Sequence, residues 1–272
     1  RVVNYWSNSA DMFPNVDGKG GIAITMWNRN ACFGKINFFS PYSELHKIVE
    51  KVNRKDFISF SSIIYPRDLY HLTEALYIDN PELLNRQSKG HKFDCGSNVF
   101  SVFPEVFLKQ KPQEFATYAR VVGKNKNVRE YRWIKKDYLK TPDNFNYYKV
   151  FVPKANGSGT FGEPLANPII GEPCDAHTVT FLSIGKYEIK SEAFATLNYI
   201  KTKFLRCMLG TLKVTQDNPR ETWANVPLQD FTEHSDIDWS KSIAEIDQQL
   251  YRKYNLSDDE IAFIEKMIKP ME

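Results

Sequence analysis

The chain has 272 residues, 42% of them apolar and 25% charged, with a formal net charge of +3. Length and composition fit a folded protein with a substantial core and exclude a disordered or collagen-like chain. The longest apolar runs, Gly21–Trp27 and Asn98–Val102, are too short to cross a bilayer as a helix.

In chain order, Val2–Trp6, Gly20–Trp27 and Phe33–Phe39 read as strands, the second of them buried. Ser43–Val52 places Leu45, Ile48, Val49 and Val52 on one helical face. Arg67–Tyr77, with Leu69, Leu72 and Leu76 on a stripe, reads as a second helix. Phe115–Gly123 and Val128–Leu139 read as two strands joined at Lys124-Asn125-Lys126-Asn127, a hairpin. Tyr147–Lys154 and His177–Ile184 follow as strands around a Gly/Pro-rich loop, Asn156–Pro173. Ser191–Leu212 is the longest helical pattern; Leu197, Ile200, Phe204 and Leu205 belong to its core stripe. Ile237–Met271 holds two short helices, the second opened by the capping box Ser257-Asp258-Asp259-Glu260 and followed by Pro270. The order lacks βαβ alternation, so the expected class is α+β.

Charge is unevenly placed. Lys109–Lys154 carries twelve Lys/Arg against four Asp/Glu, a local +8, whereas Asp230–Glu272 carries eleven acids against five bases, a local −6. A phosphate footprint and a solvated sheet face both fit the basic segment. Aromatic residues interleaved there favour nucleic acid.

Most chemical motifs fail their context. Gly157-Ser158-Gly159-Thr160-Phe161-Gly162 has the dinucleotide-binding spacing, but Pro164, Pro168 and Pro173 forbid the helix that would receive the phosphate. Cys32, Cys95, Cys174 and Cys207 form no Cys-x-x-Cys pair, which argues against a zinc ribbon and fits reduced thiols in a cytoplasm. The five histidines show no ligand spacing, so no metal site is expected. Asp175 with Glu188 and Lys190 could hold a divalent cation for phosphodiester cleavage, and a solvated strand end is the competing reading.

Three stretches together carry a family resemblance: Asp11–Asp17 with Gly20–Trp27; Lys149–Gly162 with Thr178–Phe181; and Tyr199–Lys213 with Val226–Leu228 and Ser235–Trp239. They resemble the C-terminal part of a bacterial adenine-specific DNA methyltransferase of a type II restriction-modification system, with a TaqI-like specificity domain. The resemblance implies a division into 1–41, the last strands of the catalytic domain; 42–230, a target-recognition domain; and 231–272, an acidic helical segment. The family's Asn/Asp-Pro-Pro-aromatic tetrapeptide and its glycine-rich S-adenosylmethionine loop are absent. With Arg1 rather than Met at the start, the chain is expected to be a fragment whose upstream methyltransferase domain holds that cofactor. No catalytic residue is expected here, and no membrane partner.

Duplex DNA is the partner the resemblance implies. Trp27 falls where the family places the aromatic that stacks on an extruded base, although a strand-end core Trp fits too. The candidate DNA contacts are Arg120, Lys124, Lys126, Arg129 and Arg132 on the basic hairpin, and Lys154, Asn156 and Ser158 on the glycine loop. Lys213, Thr215 and Gln216 after the long helix complete them. Two other readings stand beside this one: a nuclease centred on Asp175, Glu188 and Lys190, and an interaction domain that docks a partner through its acidic helices.

Overall fold

A computed structural model describes residues 1–6, 8–15, 21–34, 39–54, 56–114, 117–126, 128–155, 157 and 159–271. The architecture is mixed α+β, as expected, with small sheets and seven α-helices among the described residues. Two buried apolar clusters organise it.

The first cluster is built on a three-stranded antiparallel sheet. Strand β7 (Tyr148–Pro153) pairs on one side with β8 (Ile169–Gly171) and on the other with β10 (Phe181–Tyr187). Val150, Val152, Leu182 and Ile184 join Leu45, Ile48 and Val52 of α1 (Ser43–Val52) in one core. The acidic 231–272 segment carries the two expected helices, α6 (Ile243–Lys253) and α7 (Asp258–Met267). Their apolar faces, Ile246, Leu250, Tyr251 and Ile264, are buried in this same core. The capping box at Ser257 and Glu260 is formed, and Ser242 with Glu245 forms a second one at α6.

The long helical pattern divides into α4 (Lys190–Lys201) and α5 (Lys203–Leu209). Thr202 is extended, at φ −60° and ψ 149°, and its side chain accepts from the Leu205 amide. Asp247 reaches across from α6 and accepts from the amides of Lys203 (2.9 Å) and Phe204 (2.8 Å). A remote carboxylate thus satisfies the first turn of α5, and the new start is stable although the apolar stripe runs through it.

The second cluster lies under a sheet of order β5-β4-β9. Strands β4 (Tyr118–Asn125) and β5 (Val128–Lys135) form the expected hairpin, and β9 (Asp175–His177) adds in parallel to β4. Ala119, Val121 and Ile134 meet Phe100, Phe103 and Phe107 from α3 (Val99–Val102) and the loop after it. Val122, Phe151 and Phe181 join the two halves.

Three expectations are corrected. Arg67–Tyr77 is not one helix: β3 (His71–Leu72) pairs with β6 (Leu139–Lys140), and α2 (Glu74–Asp79) begins only after Thr73. Pairing with segments distant in sequence, with the Leu72 amide on the Phe93 carbonyl, outcompetes the local helical stripe. His177–Ile184 is two strands, broken at Thr178–Thr180, where the two threonine hydroxyls meet at 2.8 Å. Gly20–Trp27 yields only β2 (Ile22–Thr25), paired with β1 (Val2–Trp6); it is largely exposed, with Gly20 outside the described residues. Residues 35–38 of the third expected strand also lie outside them, and Phe33, Gly34 and Phe39 are not in a strand.

Candidate nucleic-acid interface

Strand periodicity decides which hairpin side chains can meet a ligand, because alternate residues face opposite sides and directly paired residues share a side. The register pairs Tyr118 with Lys135, Arg120 with Trp133, Val122 with Tyr131, and Lys124 with Arg129. These eight form one face. Ala119, Val121, Gly123, Glu130, Arg132 and Ile134 form the other, which covers the second core.

The first face alternates cations with aromatic rings. The Arg120 guanidinium lies 5.1 Å from the Tyr131 ring centre, and Lys111 Nζ lies 5.7 Å from that of Trp133. Arg120 donates from Nε (2.8 Å) and Nη2 (2.5 Å) to the Asp175 carboxylate, which holds its pKa above the ordinary arginine value. That fork fixes the guanidinium over Tyr131, so its direction is set before any ligand arrives. Arg129 donates to the Asn167 carbonyl and lies over the Phe181 ring. Lys124 is half-buried and makes no side-chain hydrogen bond or ion pair among the described residues. Lys126 stands exposed at the turn with φ 49°. Lys135 is exposed at the far end and donates to the Tyr138 hydroxyl.

Arg132 is withdrawn from the set of DNA contacts. It sits on the inner face, 4% exposed, paired with Glu130 at 2.5 Å and lying over Phe100. Strand alternation alone separates Arg132 from Arg129 and signals this placement, once the facing of a single residue is known.

The structure brings the two remaining groups of candidates together. Gly159 lies against the backbone of Thr215, where a Cβ would come within 2.6 Å of Thr215 Cα, and Ala155 bridges to Asp217. Gly162 lies against the Met267 carbonyl, 2.0 Å from where a Cβ would sit, with φ +85°. Gly159 and Gly162 are therefore explained by close backbone approach, and no helix follows them. Asn156 and Ser158 lie outside the described residues. Thr215 and Gln216 are exposed, whereas Lys213 is 9% exposed, donates to the Thr215 carbonyl and has its pKa lowered by burial. Lys154 is half-buried at the end of β7.

The proposed nuclease carboxylate has other partners. Asp175 is buried, and its oxygens accept from Arg120 and from the Glu172 amide (2.9 Å). Lys190 pairs with Glu172 at 2.6 Å, and Glu188 is exposed. Among the described residues, no three His, Cys, Asp or Glu side chains are grouped to hold a metal ion.

Around β9 lies a buried polar cluster that no sequence motif marks. Lys149 is fully buried, and its ammonium donates to the carbonyls of Phe145 (2.7 Å), Tyr147 (3.0 Å), Glu172 (3.1 Å) and Asn144 (3.3 Å). Burial pushes its pKa down to about 8. His177, also buried, meets the Thr178 carbonyl through Nδ1 at 2.9 Å and is flanked by Tyr70 and Phe151; burial lowers its pKa to about 4. His177 ends the Asp175 strand, and the Lys149 ammonium holds the Glu172 carbonyl just before it. The buried thiol of Cys95 is raised to about 12, which keeps it protonated and unreactive.

A cleft of about 600 Å³ opens beside this cluster, between segment 67–71, segment 86–98 and Lys154. Of its lining, sequence reasoning singled out only Lys154, because the cleft is assembled from loops without a motif. A second cleft of about 450 Å³ lies between residues 62–66 and 185–187. There Tyr65 is raised to about 12, by burial first and then by its hydrogen bond to Asp143.

Trp27 is 82% exposed just beyond β2. Among the described residues, no helix is long and apolar enough to cross a membrane. No protein-family model matches the chain, and no curated protein matches it.

Proposed function

We propose that this chain recognises duplex DNA, as the specificity region of an adenine-specific DNA methyltransferase. One observation carries the reading: the register of β4 and β5 gathers Arg120, Lys124 and Arg129 on one face with Tyr118, Tyr131 and Trp133, and Lys126 extends from the tip. Beyond Val122, where pairing with β9 ends, the hairpin is a two-stranded ribbon, a shape that fits the major groove of B-DNA, and its cations can meet the phosphates. In this reading Lys124, Lys126 and Arg129 bind phosphates and set register. Arg120, held by Asp175 and Tyr131, is the side chain whose direction is fixed for a base edge. Lys154, Thr215 and Gln216 extend the contact along the neighbouring loops.

One observation speaks for setting the first forty-one residues apart. None of the described ones joins the buried apolar clusters, while Val3, Phe13, Ile24, Met26, Trp27, Phe33 and Phe39 are exposed. We assign them to the sheet of a methyltransferase domain, where Trp27 would be available to stack on an extruded base. The S-adenosylmethionine chemistry belongs to that domain, since no residue here matches its cofactor or proline-proline motifs.

The test is fluorescence anisotropy of the chain with a duplex oligonucleotide over a salt series. A negative slope of log K against log salt is expected, falling in magnitude by about 2 to 3 when Lys124, Lys126 and Arg129 are replaced by Gln. No binding by the unaltered chain, or a triple variant with an unchanged slope, overturns the proposal.

A further inference from the structure

We propose that the cleft between segment 67–71, segment 86–98 and Lys154 is a phosphate-ester site, sized for one nucleotide. Its volume of about 600 Å³ lies within the range of small-ligand sites. The identification of that nucleotide as part of a bound DNA strand rests on the DNA reading above; the phosphate chemistry does not.

The charge inventory carries the argument. Three lining groups are arginine or lysine side chains: Arg67, Arg86 and Lys154. Arg86 is spent on Glu105 at 2.5 Å, and Asp94 makes a hydrogen bond with His91 Nδ1 at 2.6 Å. Arg67, Lys154 and the His71 ring make no side-chain hydrogen bond or ion pair among the described residues. Against them stand two carboxylates, Asp68, which is exposed beside Arg67, and Asp94, which is hydrogen-bonded to the His91 ring rather than to an arginine or lysine. Two uncommitted cations facing one concave space raise the local potential and attract an anion. A phosphate answers both and also accepts from a histidine N–H.

One backbone segment links the cleft to the hairpin. Within residues 178–181, the Thr178 amide donates to Val122 of β4 and the Val179 amide to Cys95 in one cleft wall. The Thr180 carbonyl accepts from the amide of Lys154 in the other wall, and Phe181 lies under Arg129. Residues 178–181 therefore tie the hairpin to both walls of the cleft.

The experiment compares the unaltered chain, the double variant Arg67→Gln/Lys154→Gln and the control Lys266→Gln, whose side chain is exposed on α7. Each is titrated with a duplex oligonucleotide, a 5′-mononucleotide and inorganic phosphate. Both replaced side chains are unpartnered, so circular dichroism and melting of the double variant should match the unaltered chain. Expected is a loss of about tenfold or more in DNA affinity for the double variant, a salt slope reduced by about 1, and an unchanged control. Tight DNA binding with the double variant indistinguishable from the unaltered chain overturns the cleft and leaves the hairpin reading standing. Mononucleotide binding that is lost in the double variant, with no DNA binding at all, supports the cleft and overturns the DNA reading. Binding of none of the three probes overturns both.

Discussion

Removing the Asp175 carboxylate should loosen the hairpin face more than a surface substitution would. The carboxylate is 8% exposed, and Arg120 is 35% exposed. Asp175→Ala deletes two charge-assisted hydrogen bonds from Arg120 and one from the Glu172 amide. Each charge-assisted bond contributes about 1.5–3 kcal/mol. Arg120 can recover water on its exposed third, which discounts the total. The expected cost is about 3 kcal/mol, with about 1.5–2 kcal/mol of it coupling to Arg120. Urea melts at pH 7, followed by tryptophan fluorescence and far-UV circular dichroism, for Asp175→Ala, Arg120→Met and the double variant close the cycle. A coupling energy below about 0.5 kcal/mol would refute the claim that this pair fixes the guanidinium, and with it the assignment of Arg120 as a preorganised base contact.

Two further outcomes test the scaffold. Asp247 is raised to about 6, by burial first, against amide bonds and Arg206 that lower it. Its folded pKa lies above the unfolded value, so the folded chain binds more protons between about pH 4 and 6. Stability should therefore fall by about 3 kcal/mol as pH rises through that window. Asp247→Asn should flatten this part of the profile, and an unaltered slope in urea midpoints across it would contradict the assignment. Gly162→Ala would force a Cβ against the Met267 carbonyl at φ +85°, whereas Gly34, at φ +77°, faces open space. The first substitution should cost at least about 2 kcal/mol, the second about 1 kcal/mol from backbone strain alone. Equal losses of Tm would show that the glycine loop does not clasp α7.

The hairpin was legible because its two strands alternate and its turn residues are local signals. The facing of Arg132 was not, since alternation gives two faces without saying which is covered; Phe100 and Phe107 decide that from outside the hairpin. The glycine spacing was legible as a loop that no helix follows. Its purpose was not, because Thr215 and Met267 approach it from 50 and more residues away.

By itself, the sequence determined the α+β class, the β4–β5 hairpin, helix α1, the two acidic helices with the cap of the second, and the concentration of positive charge in 109–154. All of these rest on short-range periodicity, turn chemistry or composition. Only tertiary structure decided that Asp175 serves Arg120 rather than a metal pair with Glu188, that Asp247 divides one helical pattern into α4 and α5, and that Arg67 faces the same cleft as Lys154. Each of those depends on a carboxylate or cation meeting a partner far along the chain. The energy of such a meeting is set by burial and direction, which local sequence does not encode.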